Sequence, residues 1–348
     1  MVEFTVAELH RMGMVAGLGW YNDALCRFPL GARKKLDPAL WNKVEMPSGV
    51  RVSFRTRCDA LILDVSYVGD LSFDRFCRNA NGFDIYQDGK LMQTIMSPTG
   101  LGDVVLMAEL DGTREHDYTI YLPFHVRIQL NLLVLESKHW NKEPEIHPIS
   151  REFKKPGHLV FYGSSITHGS HAQRPGITYP AIIARQLNMD FLNLGFGGTG
   201  KGESEVAGLL ASIDHPVMYI LDWGINIWGD DEKDFIYTRY QGMVDRLKSS
   251  HPTVPILLIN LQTGGPLGQE GDHMRANIEE IRQEIKQVFD REVEKGNKNI
   301  FYTDAMDIIN PGNINELTTD RIHPNQAGFM QYANHLSPVI SKILNLEP

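Results

Sequence analysis

From residue 158 onward, short apolar runs alternate with longer stretches of helical periodicity. This alternation restricts the fold more than any other feature of the chain. The runs 158–162, 190–194, 217–222, 255–260 and 299–303 have the length of strands. Between them, 178–187, 203–212, 232–249 and 271–294 carry apolar residues at helical spacing. A last helix follows Pro324, a residue suited to a first helical turn. Strands that alternate with helices must be joined by crossovers, and crossovers give a parallel sheet with helices on both faces. Ligands of such sheets bind beyond the carboxyl ends of the strands. The strand ends are therefore where chemistry is to be sought.

Before residue 150 the rhythm is different. Short β-rich runs cover 50–58, 60–68, 83–95, 104–110 and 118–135. QDGK (87–90) sets an Asp-Gly pair between alternating runs, a strong hairpin signal. Pro123 lacks a ladder donor and divides the last run into two strands or a bulge. The expectation is an antiparallel β-sandwich over 1–150 and an α/β domain over 151–348. The polar, proline-containing segment 138–157 is read as the linker.

The formal net charge of −9 argues against nucleic acid as a partner, because phosphate binding needs a basic surface. No apolar run approaches the roughly 20 residues of a membrane span. The opening MVEFTVAELHRMG puts Glu3, Glu8 and His10 where a secretory signal would be apolar. The cysteines, Cys26, Cys58 and Cys77, are odd in number and irregularly spaced, which gives neither a disulfide framework nor a zinc site. Buried thiols and a cytoplasmic location are expected, with no cofactor and no metal. A homo-oligomer stays open.

Four strand ends or loops carry candidate chemistry. The first strand runs into Gly163-Ser164-Ser165-Ile166. A glycine turn alone would explain the glycine, but a serine aimed outward is a nucleophile if a base meets it. The second strand ends in Gly195-Phe196-Gly197-Gly198-Thr199-Gly200. This matches the dinucleotide fingerprint, with Asp222 as the ribose acid roughly 20 residues on. It equally suits a backbone N–H that must approach an oxyanion. The third ends in Asp222-Trp223-Gly224-Ile225-Asn226, where Asn226 is either a turn former or a side-chain donor to developing negative charge. The last loop is Asp320-Arg321-Ile322-His323-Pro324. An acid three residues before a histidine can take its Nδ1–H, fix its tautomer and leave Nε2 free to accept a proton. The dinucleotide reading accounts for the second segment and leaves the first and last idle.

Taken together these segments resemble the SGNH hydrolase (GDSL esterase) superfamily over roughly 160 to 328. The resemblance implies a flavodoxin-like three-layer α/β/α domain and puts the nucleophile at Ser165. It implies His323 as base and Asp320 as its orienting acid, with the oxyanion held by the Ser165 backbone, Gly198 and Asn226. Gly197 is the near competitor of Gly198. Ser164 stands where the family has Asp, and Ile227 where an Asp often follows the Asn. The GSSIT variant is similar to a branch whose α/β domain follows a jelly-roll-like β-sandwich carrying Gly-x-Asp-Leu-Tyr. Gly82-Phe83-Asp84-Ile85-Tyr86 looks like that signature.

The implied activity is hydrolysis of short acyl, first of all acetyl, esters of a small molecule such as an acylated sugar or natural product. Acyl transfer to an alcohol is the alternative, and a nucleotide-binding oxidoreductase using GFGGTG is the reading from another class. Trp223 and Trp228 bracket Asn226 as candidate pocket walls. His168 follows the nucleophile closely at a candidate rim, as does His171. Arg174 is a candidate for a substrate carboxylate or phosphate. Asp222 is read as a structural acceptor rather than a ribose ligand.

Overall fold

The computed structural model describes residues 1–21, 24–68, 81–97, 102–138, 142–150, 152–227, 235–262 and 270–347, with the backbone alone for 270–277. Two compact units emerge. The first comprises Met1–Leu30, Val44–Glu152 and Gln173–Gly176; the second comprises Gly31–Lys43, Phe153–Ala172 and Ile177–Pro348. Most of the chain before Glu152 falls in the first unit and most of the chain after it in the second, with Gly31–Lys43 and Gln173–Gly176 as the exceptions. Gly31–Lys43 contains the start of a helix, Pro38–Val44, with Pro38 in its first turn and the Asp37 carboxylate accepting the Ala39 N–H at 2.7 Å. It has no period-2 pattern that would tie it to a sheet.

In the first unit the described strands are β1 (Val2–Phe4), β2 (Val15–Ala16), β3 (Arg51–Thr56), β4 (Ala60–Val68), β5 (Gly82–Gln87), β6 (Lys90–Met96), β7 (Gly102–Glu109), β8 (His116–Tyr121), β9 (Arg127–Glu136) and β10 (Ile146–His147). They form two antiparallel sheets, ordered β1-β9-β4-β7 and β10-β3-β8-β5-β6, with β2 beside β3. Alternation sends Leu61, Leu63 and Val65 of β4 inward, where they join Phe54, Phe83, Ile85 and Tyr118 of the other sheet in one core. The β5–β6 turn places both Asp88 and Gly89 at positive φ (49° and 79°), which is what the Asp-Gly pair is suited for. Pro123 lies between β8 and β9, where the long run is indeed divided.

In the second unit the described strands β11 (His158–Gly163), β12 (Asp190–Gly195), β13 (Pro216–Asp222), β14 (Ile256–Asn260) and β15 (Ile300–Asp304) are all parallel. Their order is β12-β11-β13-β14-β15, the flavodoxin-like arrangement. The chain reverses direction of travel around β11, so a crevice opens beyond the ends of β11 and β13. Register makes this end level: Gly163 pairs with both Gly195 and Asp222. Loops from three strands leave the sheet side by side. Strands β12 and β14 are buried along their whole length, and no helix among the described residues is long and apolar enough to cross a membrane.

Candidate active site

The two adjacent serines have separate jobs. Ser164 is the N-cap of a short helix, Ser165–His168, and its hydroxyl accepts the Ile166 N–H at 3.2 Å. Ser165 opens that helix, so its N–H has no intrahelical acceptor. The helix fits against the sheet because Gly163 and Gly195 lack side chains. A Cβ on Gly163 would lie 1.9 Å from Thr167 Oγ1, and one on Gly195 would lie 2.1 Å from the His168 N. Glycine is required at both places by close approach.

The Ser165 hydroxyl lies 2.8 Å from His323 Nε2, across 158 residues of chain. His323 Nδ1 lies 2.7 Å from Asp320 Oδ2. A carboxylate accepts only, so the imidazole proton sits on Nδ1 and Nε2 is left to accept the Ser165 O–H. Asp320 Oδ1 accepts two backbone N–H groups, from His323 at 2.7 Å and Ile322 at 3.0 Å. Burial opposes ionisation of Asp320, but the His323 imidazole and these two N–H groups outweigh it and hold the carboxyl well below the usual carboxylate range. The loop closes through the Thr319 N–H, which donates to the His323 carbonyl at 3.0 Å, and Arg321 turns it at φ 69°.

The glycine segment divides its labour. A Cβ on Gly197 would meet Ser165 Cβ at 3.2 Å, so this glycine allows the loop to lie against the serine. Gly198 needs its conformation instead: its φ is 72°, and a Cβ there would meet nothing within 4 Å. The Gly198 N–H donates to Asn226 Oδ1 at 3.1 Å. The Asn226 amide donates to the carbonyls of Phe196 at 3.1 Å and Gly200 at 2.8 Å. The two expected oxyanion donors are thus brought together, and in this state their N–H groups hold the loop.

This segment does not open a helix as a dinucleotide fingerprint would. The next helix is Ser204–Leu210, and Gly202, at φ 71°, lies against the Trp223 ring. Asp222 is buried and accepts hydrogen bonds from Thr167 Oγ1 at 3.1 Å and Tyr179 Oη at 3.0 Å. Burial pushes its carboxyl up to about 7, against the pull of those two hydroxyls. It serves as a structural acceptor for these two hydroxyls.

Several pocket expectations are corrected. Trp223 is a core residue: it is fully buried and stacks on Tyr240 at 4.0 Å and 13°. Its indole N–H meets no acceptor among the described residues. His168 is fully buried rather than at a rim, and its Nδ1 accepts the Gly197 N–H at 3.4 Å. Arg174 is committed to Asp84 at 2.7 Å and the Tyr86 hydroxyl at 2.9 Å, both in the Gly82–Tyr86 signature. Asp84 Oδ2 also accepts the Gly176 N–H at 2.8 Å. A buried carboxylate, not a substrate anion, is the partner of this guanidinium. Trp228 and Cys77 lie outside the described residues, while Cys26 and Cys58 are buried; burial pushes the Cys58 thiol up to about 12.

Sequence reading missed the groups that hold the histidine loop. Gln262, buried just beyond β14, donates to the Ile322 carbonyl and accepts the Tyr332 O–H at 2.8 Å. His171 stacks on His323 with ring centroids 4.5 Å apart at 27°. Ligand atoms of His171, Asp320 and His323 come within 4.8 Å of one another. In this arrangement His323 Nδ1 and Asp320 Oδ2 are hydrogen-bonded to each other at 2.7 Å.

The sequence pattern of the GDSL-like lipase/acylhydrolase family matches residues 154–341. Among solved structures, a Bacteroides ovatus protein whose name gives it as a GDSL-like lipase superposes with a TM-score of 0.85 at 26% identity, covering 99% of this chain and 98% of that one. The salicylyl-acyltransferase SsfX3 of a tetracycline biosynthetic pathway superposes with a TM-score of 0.84 at 20% identity, covering 99% of both chains. An acetyl xylan esterase from the rumen bacterium Butyrivibrio proteoclasticus shares the fold with a TM-score of 0.61 at 13% identity over 100% of both chains. No curated protein sequence matches the chain.

Proposed function

We infer that this chain, which belongs to the GDSL-like lipase/acylhydrolase family and acts on acyl esters, does so through a covalent acyl-Ser165 intermediate. The observation that carries the reading is the line from Ser165 Oγ to His323 Nε2 at 2.8 Å and from His323 Nδ1 to Asp320 at 2.7 Å. In the proposed reaction the Ser165 proton passes to His323 Nε2 as Oγ bonds to the ester carbonyl carbon. The imidazolium is stabilised by Asp320, which stays ionised. The carbonyl oxygen becomes an oxyanion and takes the Ser165 N–H first. Gly198 and Asn226 join by exchanging their bonds within the loop for bonds to substrate, so the oxyanion hole is completed as the ester enters. His323 then returns the proton to the departing alkoxide, which leaves as the alcohol. Water, deprotonated by His323, attacks the acyl-serine and releases the acid and the free hydroxyl.

The substrate proposed is a short acyl ester, acetyl first, of a carbohydrate. Likeness to an acetyl xylan esterase supports it. A second reading, transfer of the acyl group to a small-molecule alcohol, is supported by the higher TM-score of the superposition on the salicylyl-acyltransferase, 0.84 against 0.61. The chemistry differs only in whether water or an alcohol resolves the acyl-enzyme.

The test is intact-mass analysis after mixing the protein with p-nitrophenyl acetate, butyrate and salicylate, with and without an added sugar alcohol. Acyl adducts on the wild type and none on Ser165→Ala are expected. Hydrolysis products alone favour the esterase, and ester formed from the added alcohol favours the transferase. An adduct that persists on Ser165→Ala refutes the assignment of the nucleophile.

A further inference from the structure

We propose that His171 is a positioning residue for His323: its ring forms a platform beneath the imidazole and ties the loop after the serine to the loop that carries the base. The proposal rests on the reading of Ser165, His323 and Asp320 given above.

His171 leaves the short helix that Ser165 opens, and only 8% of it is exposed. Its φ is 69°, a backbone conformation that favours glycine. A loop that merely had to turn would take glycine there without strain, so the side chain must offset the penalty. Its contacts indicate how. Nδ1 is hydrogen-bonded to Thr319 Oγ1, and Thr319 is the residue whose N–H closes the Asp320–His323 loop on the His323 carbonyl at 3.0 Å. The His171 ring then lies over the His323 ring, 4.5 Å centroid to centroid and 27° from parallel. His171 Nε2 stands 4.0 Å from Asp320 Oδ2, the oxygen that receives the His323 Nδ1–H.

The physical effect follows from where His323 is already held. Its two in-plane bonds, to Ser165 and Asp320, fix the line through the ring but resist tilt about that line only weakly. A flat group packed on the ring face resists that tilt. The same group keeps water from one side of the His323–Asp320 bond, which strengthens it. When the Ser165 proton reaches His323, the His171 ring still covers that face and holds the imidazolium in line with Asp320.

The experiment uses His171→Ala, His171→Phe, Thr319→Val and Ser165→Ala, each checked for folding by circular dichroism and assayed on p-nitrophenyl acetate and with a fluorophosphonate probe. His171→Ala should lower kcat and the labelling rate roughly 10- to 100-fold, the range for a misplaced base, and leave KM unchanged. His171→Phe keeps the flat face and should recover kcat to within about threefold of wild type. Thr319→Val removes the tether of the ring and also the 3.4 Å bond from Thr319 Oγ1 to the His323 carbonyl, and should lower kcat with KM unchanged; an unchanged kcat there decides against the role if His171→Ala does not fold. Wild-type kcat and labelling in His171→Ala or, failing that, Thr319→Val, or a loss confined to KM, overturns the role of His171. With Ser165→Ala inactive, that result leaves the nucleophile assignment standing. An active, labelled Ser165→Ala removes the reading beneath it.

Discussion

Replacing Asp320 by its isosteric amide should be among the most damaging single changes. Asp320 Oδ1 accepts the N–H groups of Ile322 and His323 at 3.0 and 2.7 Å, while Oδ2 faces His323 Nδ1 at 2.7 Å. In Asp320→Asn the carbonyl oxygen must remain at the first position, because an NH2 there would confront two donors. The NH2 then faces His323 Nδ1, and a donor opposite Nδ1 requires that nitrogen to accept. The ring proton moves to Nε2, where it points at the Ser165 hydroxyl, and the base has no lone pair to offer. A wrong tautomer in a serine triad costs on the order of 10⁴-fold in kcat, about 5.5 kcal/mol of barrier. Asp320→Ala removes the orienting group but imposes no tautomer, so it should be no worse than the amide. This ordering reverses the usual expectation that an isostere is the milder change. Turnover of p-nitrophenyl acetate measures the losses, and the ¹⁵N shifts of His323 report which nitrogen carries the proton. Asp320→Asn within about tenfold of wild type, or clearly faster than Asp320→Ala, would refute the argument.

Two further predictions separate shape from charge. Gly197→Ala puts a Cβ 3.2 Å from Ser165 Cβ, so it should reduce kcat roughly 10- to 100-fold by displacing the serine. Gly198→Ala meets nothing within 4 Å but is held at φ 72°, so it should cost about 1 kcal/mol of stability, and its kcat should fall less; equal kcat losses would show that the close approach is unimportant. Burial raises Asp222 to about 7, so the folded state keeps a proton that the unfolded chain releases near pH 4. Stability therefore falls as pH rises from about 4 to about 7 and levels off above. Asp222→Asn lacks that slope, and its Tm relative to wild type should be higher at pH 8 than at pH 5; parallel melting curves across the window would count against it.

The strands and their ends were legible because each rests on a local rule. The apolar run 158–162 is β11 less one residue, and Asp88-Gly89 is a hairpin because both residues tolerate positive φ. Asp320 and His323 could be paired from spacing alone, since three residues suffice to bring their side chains to one hydrogen bond. The capping box at Thr5-Val6-Ala7-Glu8, which opens the helix Val6–Arg11, went unread. What could not be read depends on partners remote in sequence. Arg174 looked like an anion binder because its partner, Asp84, is 90 residues away in a strand. Trp223 looked like a pocket wall because it borders Asn226. Its true surroundings, Tyr240 and the bare backbone at Gly202, are set by tertiary packing. Gln262 carried no signal, since its partner is the Ile322 carbonyl, which every residue has.

Those remote partners explain how a serine and a histidine 158 residues apart keep a 2.8 Å separation. Thr167, two residues past the nucleophile on its short helix, donates to Asp222, and so does Tyr179. Tyr179 stacks on Tyr332 at 5.4 Å and 28°. Tyr332 donates to Gln262, and Gln262 donates to the Ile322 carbonyl beside the base. A continuous series of buried polar and aromatic groups therefore runs from the serine helix to the histidine loop. An apolar core of equal volume would tolerate small slides between these elements, because dispersion contacts have little directionality. Buried hydroxyl, amide and carboxyl groups do not, since a slide leaves a donor or acceptor unsatisfied in a low-dielectric interior. Misplacement by about 1 Å can cost on the order of 100-fold in rate, so the tolerance demanded of the fold is narrow. Burial raises the Asp222 carboxyl, so above pH 7 its ionisation is expected to cost stability in this interior. What the fold gains in exchange is a fixed distance between the two loops, which no local motif in either one could set.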